Sequence, residues 1–170
     1  MTATARYGRD MALEARSSTA RLAAVQALYE MDLSGASADP VLREFMETRW
    51  SKVSALTVER GNDAGKLADP DTPLLYKIVR GVAERERELD QVIALHLDKN
   101  CQVNRLEALL RAVLRAATFE LLARSEAPAR VIINEYVNVA RAFFGGTEPA
   151  LVNATLDALS REMRPQELSD

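Results

Sequence analysis

Residues 131–146 read "VIINEYVNVARAFFGG", and the reading of this stretch decides the fold. Ile133 and Val137 stand four apart on an apolar face, while Asn134 and Asn138, also four apart, share one polar edge. Side chains four apart meet on a helix and not on a strand, so the stretch is a helix. Gly145 and Gly146 stop it, since glycine is the usual residue just past a helix C-terminus. The same helix sets an amide and a carboxylate, Asn134 and Glu135, beside its most apolar residues. Such a pair is either chemistry in a core or a device that fixes how helices meet.

The neighbouring segments repeat the helical pattern. Asn104 is expected to cap a helix running to about Ala123, and Leu106, Leu109, Leu110, Val113, Leu114, Ala117, Leu121 and Leu122 spread widely around it. A helix apolar on so many sides is central to the packing. Thr147 is expected to cap a last helix with Pro149 in its first turn and Leu151, Val152, Leu156 and Leu159 facing inward. Upstream, Asp71 or Thr72 caps a helix with Pro73 in its first turn, whose stripe of Leu75, Ile78, Val79, Val82, Leu89, Val92 and Ile93 runs on to about Asp98. A first helix follows Ser17, Ser18 or Thr19 and ends at "SGASADP", where Pro40 opens a short second one. Residues 1–16 are polar and without clear period, and read as a flexible N-terminal arm. Residues 51–71, with two glycines and a proline, read as a mobile loop. The fold class is all-α: an N-terminal helical bundle over 17–98 and a C-terminal one over 103–163, joined in one compact domain.

Composition agrees and excludes several functions. Hydrophobic residues make up 48% and aromatics 5%, a balance that favours helix over strand. A net charge of −3 gives no global attraction to nucleic acid or acidic membrane, so any RNA site is a local basic patch. One cysteine, Cys101, rules out an intramolecular disulfide and suits a reducing compartment. The N-terminal stretch has no apolar core of signal-peptide length and no apolar run approaches a membrane span, so a cytoplasmic location is expected. "GNDAGK" is one residue short of a phosphate-binding loop and has leucine where the magnesium-binding hydroxyl belongs. The single histidine, His96, lacks a ligand partner at helical spacing, and Cys101 lacks a positioned base. Neither a catalytic residue, a metal site nor a cofactor is expected. With nothing to catalyse, Asn134 and Glu135 are read as a structural polar core together with Asn153, and Glu135 is expected to accept from backbone or from an arginine such as Arg111 or Arg115.

Three stretches in order carry a family resemblance: "ARLAAVQALYEMDLSG" (20–35), "LLRAVLRAATFELL" (109–122) followed by "APARVIINEYVNVARAFFGG", and "ALVNATLDAL" (150–159). Over roughly residues 16–160 the chain resembles NusB, the bacterial transcription antitermination factors. The resemblance implies a NusB-like fold of two packed helical bundles, each of about three to four helices, with no cofactor and no reaction. It further implies binding to the boxA RNA of ribosomal RNA leader transcripts together with NusE, a small-subunit ribosomal protein, and entry into the RNA polymerase antitermination complex.

On this reading the RNA site lies at the start of the first helix, where exposed amides and the positive dipole end favour phosphate. Arg16 and Arg21 are expected to add charge, Ser17 and Ser18 hydroxyls, and Tyr29 a ring to stack on a base. The family's arginine cluster is thinned here to "RSSTAR". The resemblance puts the NusE contact near Arg115, Phe143, Thr147 and Leu151, where a phenylalanine and a leucine beside a glycine turn suit an apolar anchor. A homodimer through the same corner is the further possibility. Two other function classes stay open: a helical adaptor without sequence-specific RNA binding, and the helical domain of a ribosomal RNA methyltransferase.

Overall fold

The computed structural model describes residues 3–50, 67–123 and 126–168. Among them every regular element is helical: α1 (Ala3–Ser34), α2 (Ala38–Glu44), α3 (Thr72–His96), α4 (Ala108–Leu122), α5 (Ala129–Phe143) and α6 (Glu148–Met163). A π-helical turn (Phe45–Trp50) continues α2, and short 3-10 turns cover Val103–Arg105 and Pro165–Glu167.

The helix ends follow local chemistry. Asp71 caps α3, its side chain accepting from the Leu74 amide at 3.1 Å, and Pro73 sits in the first turn. Gly35, at φ 70°, ends α1 in the left-handed conformation and donates its amide to the Met31 carbonyl at 2.9 Å. Asn104 does not cap α4. It lies in the 3-10 turn, and Glu107 caps instead, its carboxylate accepting from the Leu110 amide. A carboxylate there also meets the positive end of the helix dipole, which an amide meets less well.

Residues 3–16, expected as a loose arm, continue α1 instead. Ala, Arg, Met, Leu and Glu dominate this segment and all favour helix, so a helix already nucleated on the core extends through it without burying a face. From Arg6 to Arg16 every residue is exposed. The expected mobile loop at 51–71 lies outside the described residues up to 66.

Packing is organised around α4. Every residue from Ala112 to Leu121 is buried, including Arg115, Thr118 and Glu120. It packs against α1, α3, α5 and α6, so the two expected bundles share this central helix. Ala20, Ala23, Ala24 and Ala27 give α1 a small-residue face that lets its neighbours approach closely. Gly81 does the same for α3: a Cβ there would stand 2.1 Å from the Phe119 ring of α4.

Candidate nucleic-acid interface

The carboxylate of Glu120 presents the central site problem. Glu120 lies in the all-round apolar helix α4 and is only 2% exposed, so its charge needs a partner inside the core. Arg21 of α1, 5% exposed, supplies it. Its Nε donates to Oε2 at 2.8 Å and its Nη2 to Oε1 at 3.0 Å, a two-pronged pair. The hydroxyl of Tyr136, fully buried on α5, donates to the same Oε2 at 2.7 Å. The remaining arginine donor, Nη1, reaches Glu135 Oε2 at 3.5 Å, and that oxygen also accepts from Ser18 Oγ at 2.6 Å. One network thus ties α1, α4 and α5.

Burial by itself lowers the Arg21 pKa, but the hydrogen bonds and charge of Glu120 outweigh it and leave it raised, so the guanidinium stays charged. Tyr136 is pushed well above the ordinary phenol range, first by burial and then by the Glu120 charge and hydrogen bond.

This geometry corrects several expectations. The helix does not start at Ser17, Ser18 or Thr19, which lie in the middle of α1, so no open amides or dipole end face a phosphate there. Arg21 is not an exposed phosphate contact; its donors are spent on Glu120 and Glu135. Ser18 is half-buried and engaged with Glu135, and Tyr29 is half-buried against the core. Arg16 is exposed and Ser17 half-buried, where the exposed segment of α1 meets the bundle. At the same point the Arg16 carbonyl accepts from the Asp71 amide at 3.1 Å.

The polar core also differs. Glu135 accepts from Ser18 and Arg21 rather than from Arg111 or Arg115. Asn134 and Asn153 are exposed, since both fall on the outer faces of α5 and α6. The buried polar core is Arg21, Glu120 and Tyr136. A sequence signal for it existed: Glu120 is a lone carboxylate within an apolar run, and Arg21 a lone cation among buried alanines.

Arg115 is 8% exposed and grips Asp90 with two bonds of 2.8 Å, with Glu86 at 3.2 Å. Arg111 pairs with Asp32 nearby. Arg115, Glu86 and Asp32 border a cavity of about 300 Å³ between α1, α3 and α4, lined also with Leu28, Met31, Val82 and Ala112. Phe143, Thr147 and Leu151 stand apart from that cluster, at the turn between α5 and α6. Phe143 is 38% exposed, Thr147 exposed, and Leu151 half-buried against the core. No hydrogen bond or ion pair among the described residues joins Arg115 to these three.

A third charged anchor, Arg164, was absent from the sequence reading. It is buried at the end of α6 and donates to the carbonyls of Leu121 at 3.0 Å, Glu120 at 3.2 Å and Ala127 at 3.2 Å. It thereby satisfies carbonyls at the C-terminus of α4 that have no helical partner. Among the described residues no three His, Cys, Asp or Glu side chains stand together as a metal site requires, and no helix is long and apolar enough to cross a membrane.

Comparison with known proteins places this fold. The NusB family model matches residues 18–161. The transcription antitermination protein NusB of Caulobacter vibrioides is 44% identical over 147 residues, covering 86% of this chain and 93% of that protein. Those of Maricaulis maris and Rhodospirillum rubrum are 41% and 42% identical, covering 87% and 89% of this chain and 88% and 86% of theirs. The solved structure of T. maritima NusB superposes with a TM-score of 0.69 over 90% of this chain and 96% of that one, at 24% identity, and so shares the fold. On a match that spans nearly all the helices described above, the chain belongs to the NusB family of transcription antitermination proteins.

Proposed function

We propose that this protein acts in the cytoplasm as an antitermination factor that binds boxA RNA of ribosomal RNA leader transcripts jointly with NusE and joins the RNA polymerase antitermination complex. The observation that carries the reading is the family match over residues 18–161, together with relatives that bear the antitermination name at 41–44% identity. It has no catalytic part to play in this reading; it is a binding platform.

The RNA contact centres on Arg16 and Ser17, where the exposed segment of α1 meets the bundle. Ser18 borders it, and Tyr29 lies farther along α1, about 18 Å up the helix axis from Ser17. Arg21 acts from inside, because it fixes the Glu135 carboxylate that holds Ser18. One exposed arginine at this point supplies little counterion release, so the RNA affinity of the protein alone is low and NusE supplies the rest. The NusE contact uses the α5–α6 corner, with Phe143 as the exposed apolar anchor and Thr147 and Leu151 beside it. Arg115 supports the fold from a separate cluster.

The burial of Arg21 favours one second reading, an adaptor that binds NusE but reads no RNA sequence. Fluorescence anisotropy of labelled boxA and scrambled RNA, each with and without NusE, separates the two. A boxA preference that grows with NusE and falls on Arg16→Ala supports the first. Equal weak binding to both RNAs with NusE binding intact supports the adaptor.

A further inference from the structure

Asn134 and Asn153 come from different helices and yet line one cavity of about 210 Å³ on the outer face of α5 and α6. Ile133 and Leu168, both buried, contribute apolar lining, and Arg130, Asp157 and Arg161 complete it. Neither amide has a hydrogen-bond partner among the described residues. Arg161 spends one donor on Asp157, with Nε to Oδ2 at 2.9 Å, and among the described residues its terminal nitrogens make no hydrogen bond. We propose that this cavity takes one unstacked base of single-stranded RNA, with Asn134 and Asn153 on its edge and Arg161 at its phosphate. The proposal rests on the RNA-binding reading above.

Three features select this ligand. The cavity offers donors and acceptors together, namely two amides and a carboxylate, which matches the mixed edge of a base. A bare anion only accepts, so it would use the arginines but leave the acceptor oxygens of Asn134, Asn153 and Asp157 without a donor, which a base edge supplies. The volume is below the roughly 300–1,000 Å³ typical of pockets for drug-sized ligands, and suits a single base on an apolar floor.

The position joins the cavity to the proposed RNA contact. Glu135, on one flank of the exposed face of α5, is bonded to Ser18 of α1. Asn134 and Arg130, on the other flank of the same face, line the cavity. A helix with its side chains is about 10–12 Å across. An RNA strand that touches Arg16 and Ser17 therefore reaches the cavity by crossing one helix.

The test is anisotropy titration of a labelled boxA oligonucleotide with the full-length protein and NusE. It compares wild type, Arg16→Ala, and the pair Asn134→Ala/Asn153→Ala, all exposed positions, with folding checked by circular dichroism. Each variant is also titrated with oligonucleotides in which one nucleotide at a time lacks its base. The double asparagine variant should bind about 5- to 150-fold more weakly, the range for a lost two-pronged base contact. One abasic position should weaken the wild type by a similar factor and leave the asparagine variant unchanged. If Arg16→Ala weakens binding while the asparagine variant and every abasic RNA behave as wild type, the cavity proposal is overturned and the RNA reading stands. If the wild type shows no boxA preference, both fall.

Discussion

Replacing Glu120 by Gln isolates the charge at the centre of the fold. The two side chains have nearly the same shape, so packing against the α4 neighbours is kept. What changes is that Arg21, 5% exposed, loses the carboxylate it contacts at 2.8 and 3.0 Å. Its nearest remaining anion is Glu135 at 3.5 Å. Removing one partner of a buried pair costs about 3–5 kcal/mol, because the other charge is stranded. The amide oxygen of Gln still accepts one bond from Arg21 or Tyr136, which sets the expected loss at the lower end, about 3 kcal/mol. For a chain of this size that corresponds to a fall in Tm of about 6–12 °C. Urea denaturation followed by circular dichroism reads it as a lower midpoint with an unchanged slope. A second substitution sharpens the result: adding Arg21→Met to Glu120→Gln removes the stranded charge and should return at least about 1 kcal/mol. A loss of less than about 1 kcal/mol for Glu120→Gln, or no recovery in the double variant, would refute the claim that this pair is a desolvated charge lock.

Three further outcomes follow from the same structure. Gly81→Ala should destabilise by about 1–3 kcal/mol despite the better helix propensity of alanine, since its Cβ would meet the Phe119 ring at 2.1 Å; Phe119→Leu in the same chain should relieve part of the loss, read by denaturant midpoint. Arg164→Met should cost about 2–4 kcal/mol by thermal unfolding, because the Leu121 and Glu120 carbonyls lose their donor at the end of α4. The folded Tyr136 phenol keeps its proton above the ordinary value of about 10, through burial first and then Glu120. Its contribution is therefore full below about pH 10 and is lost as pH rises from there toward the folded value; Tyr136→Phe should flatten the alkaline fall in stability, measured by urea midpoints at pH 9 and pH 11.

Much of the fold was legible because helix spacing and end chemistry are local. The Asp71 cap, the Gly35 end and the wide apolar surface of α4 all act within a few residues. The site was less legible because it depends on which far segments meet. Arg21 and Glu120 are 99 positions apart, and only packing reveals that the arginine of "RSSTAR" points inward. Asn134 and Asn153 looked like a core pair because they sit among apolar residues in the chain. The 3.6-residue period turns both outward, onto one surface cavity. The start of α1 was missed for a different reason. An exposed helix that extends a packed one has no apolar stripe, so periodicity is silent where propensity decides.

The central claim is a joint RNA site, and the most direct measurement is the change in boxA affinity on adding NusE, taken against a scrambled RNA at two salt concentrations. The account expects weak, salt-sensitive binding alone, a boxA preference that strengthens with NusE, and a loss of affinity with a shallower salt dependence on Arg16→Ala. Equal affinity for boxA and scrambled RNA in the presence of NusE, unchanged by Arg16→Ala, would contradict it.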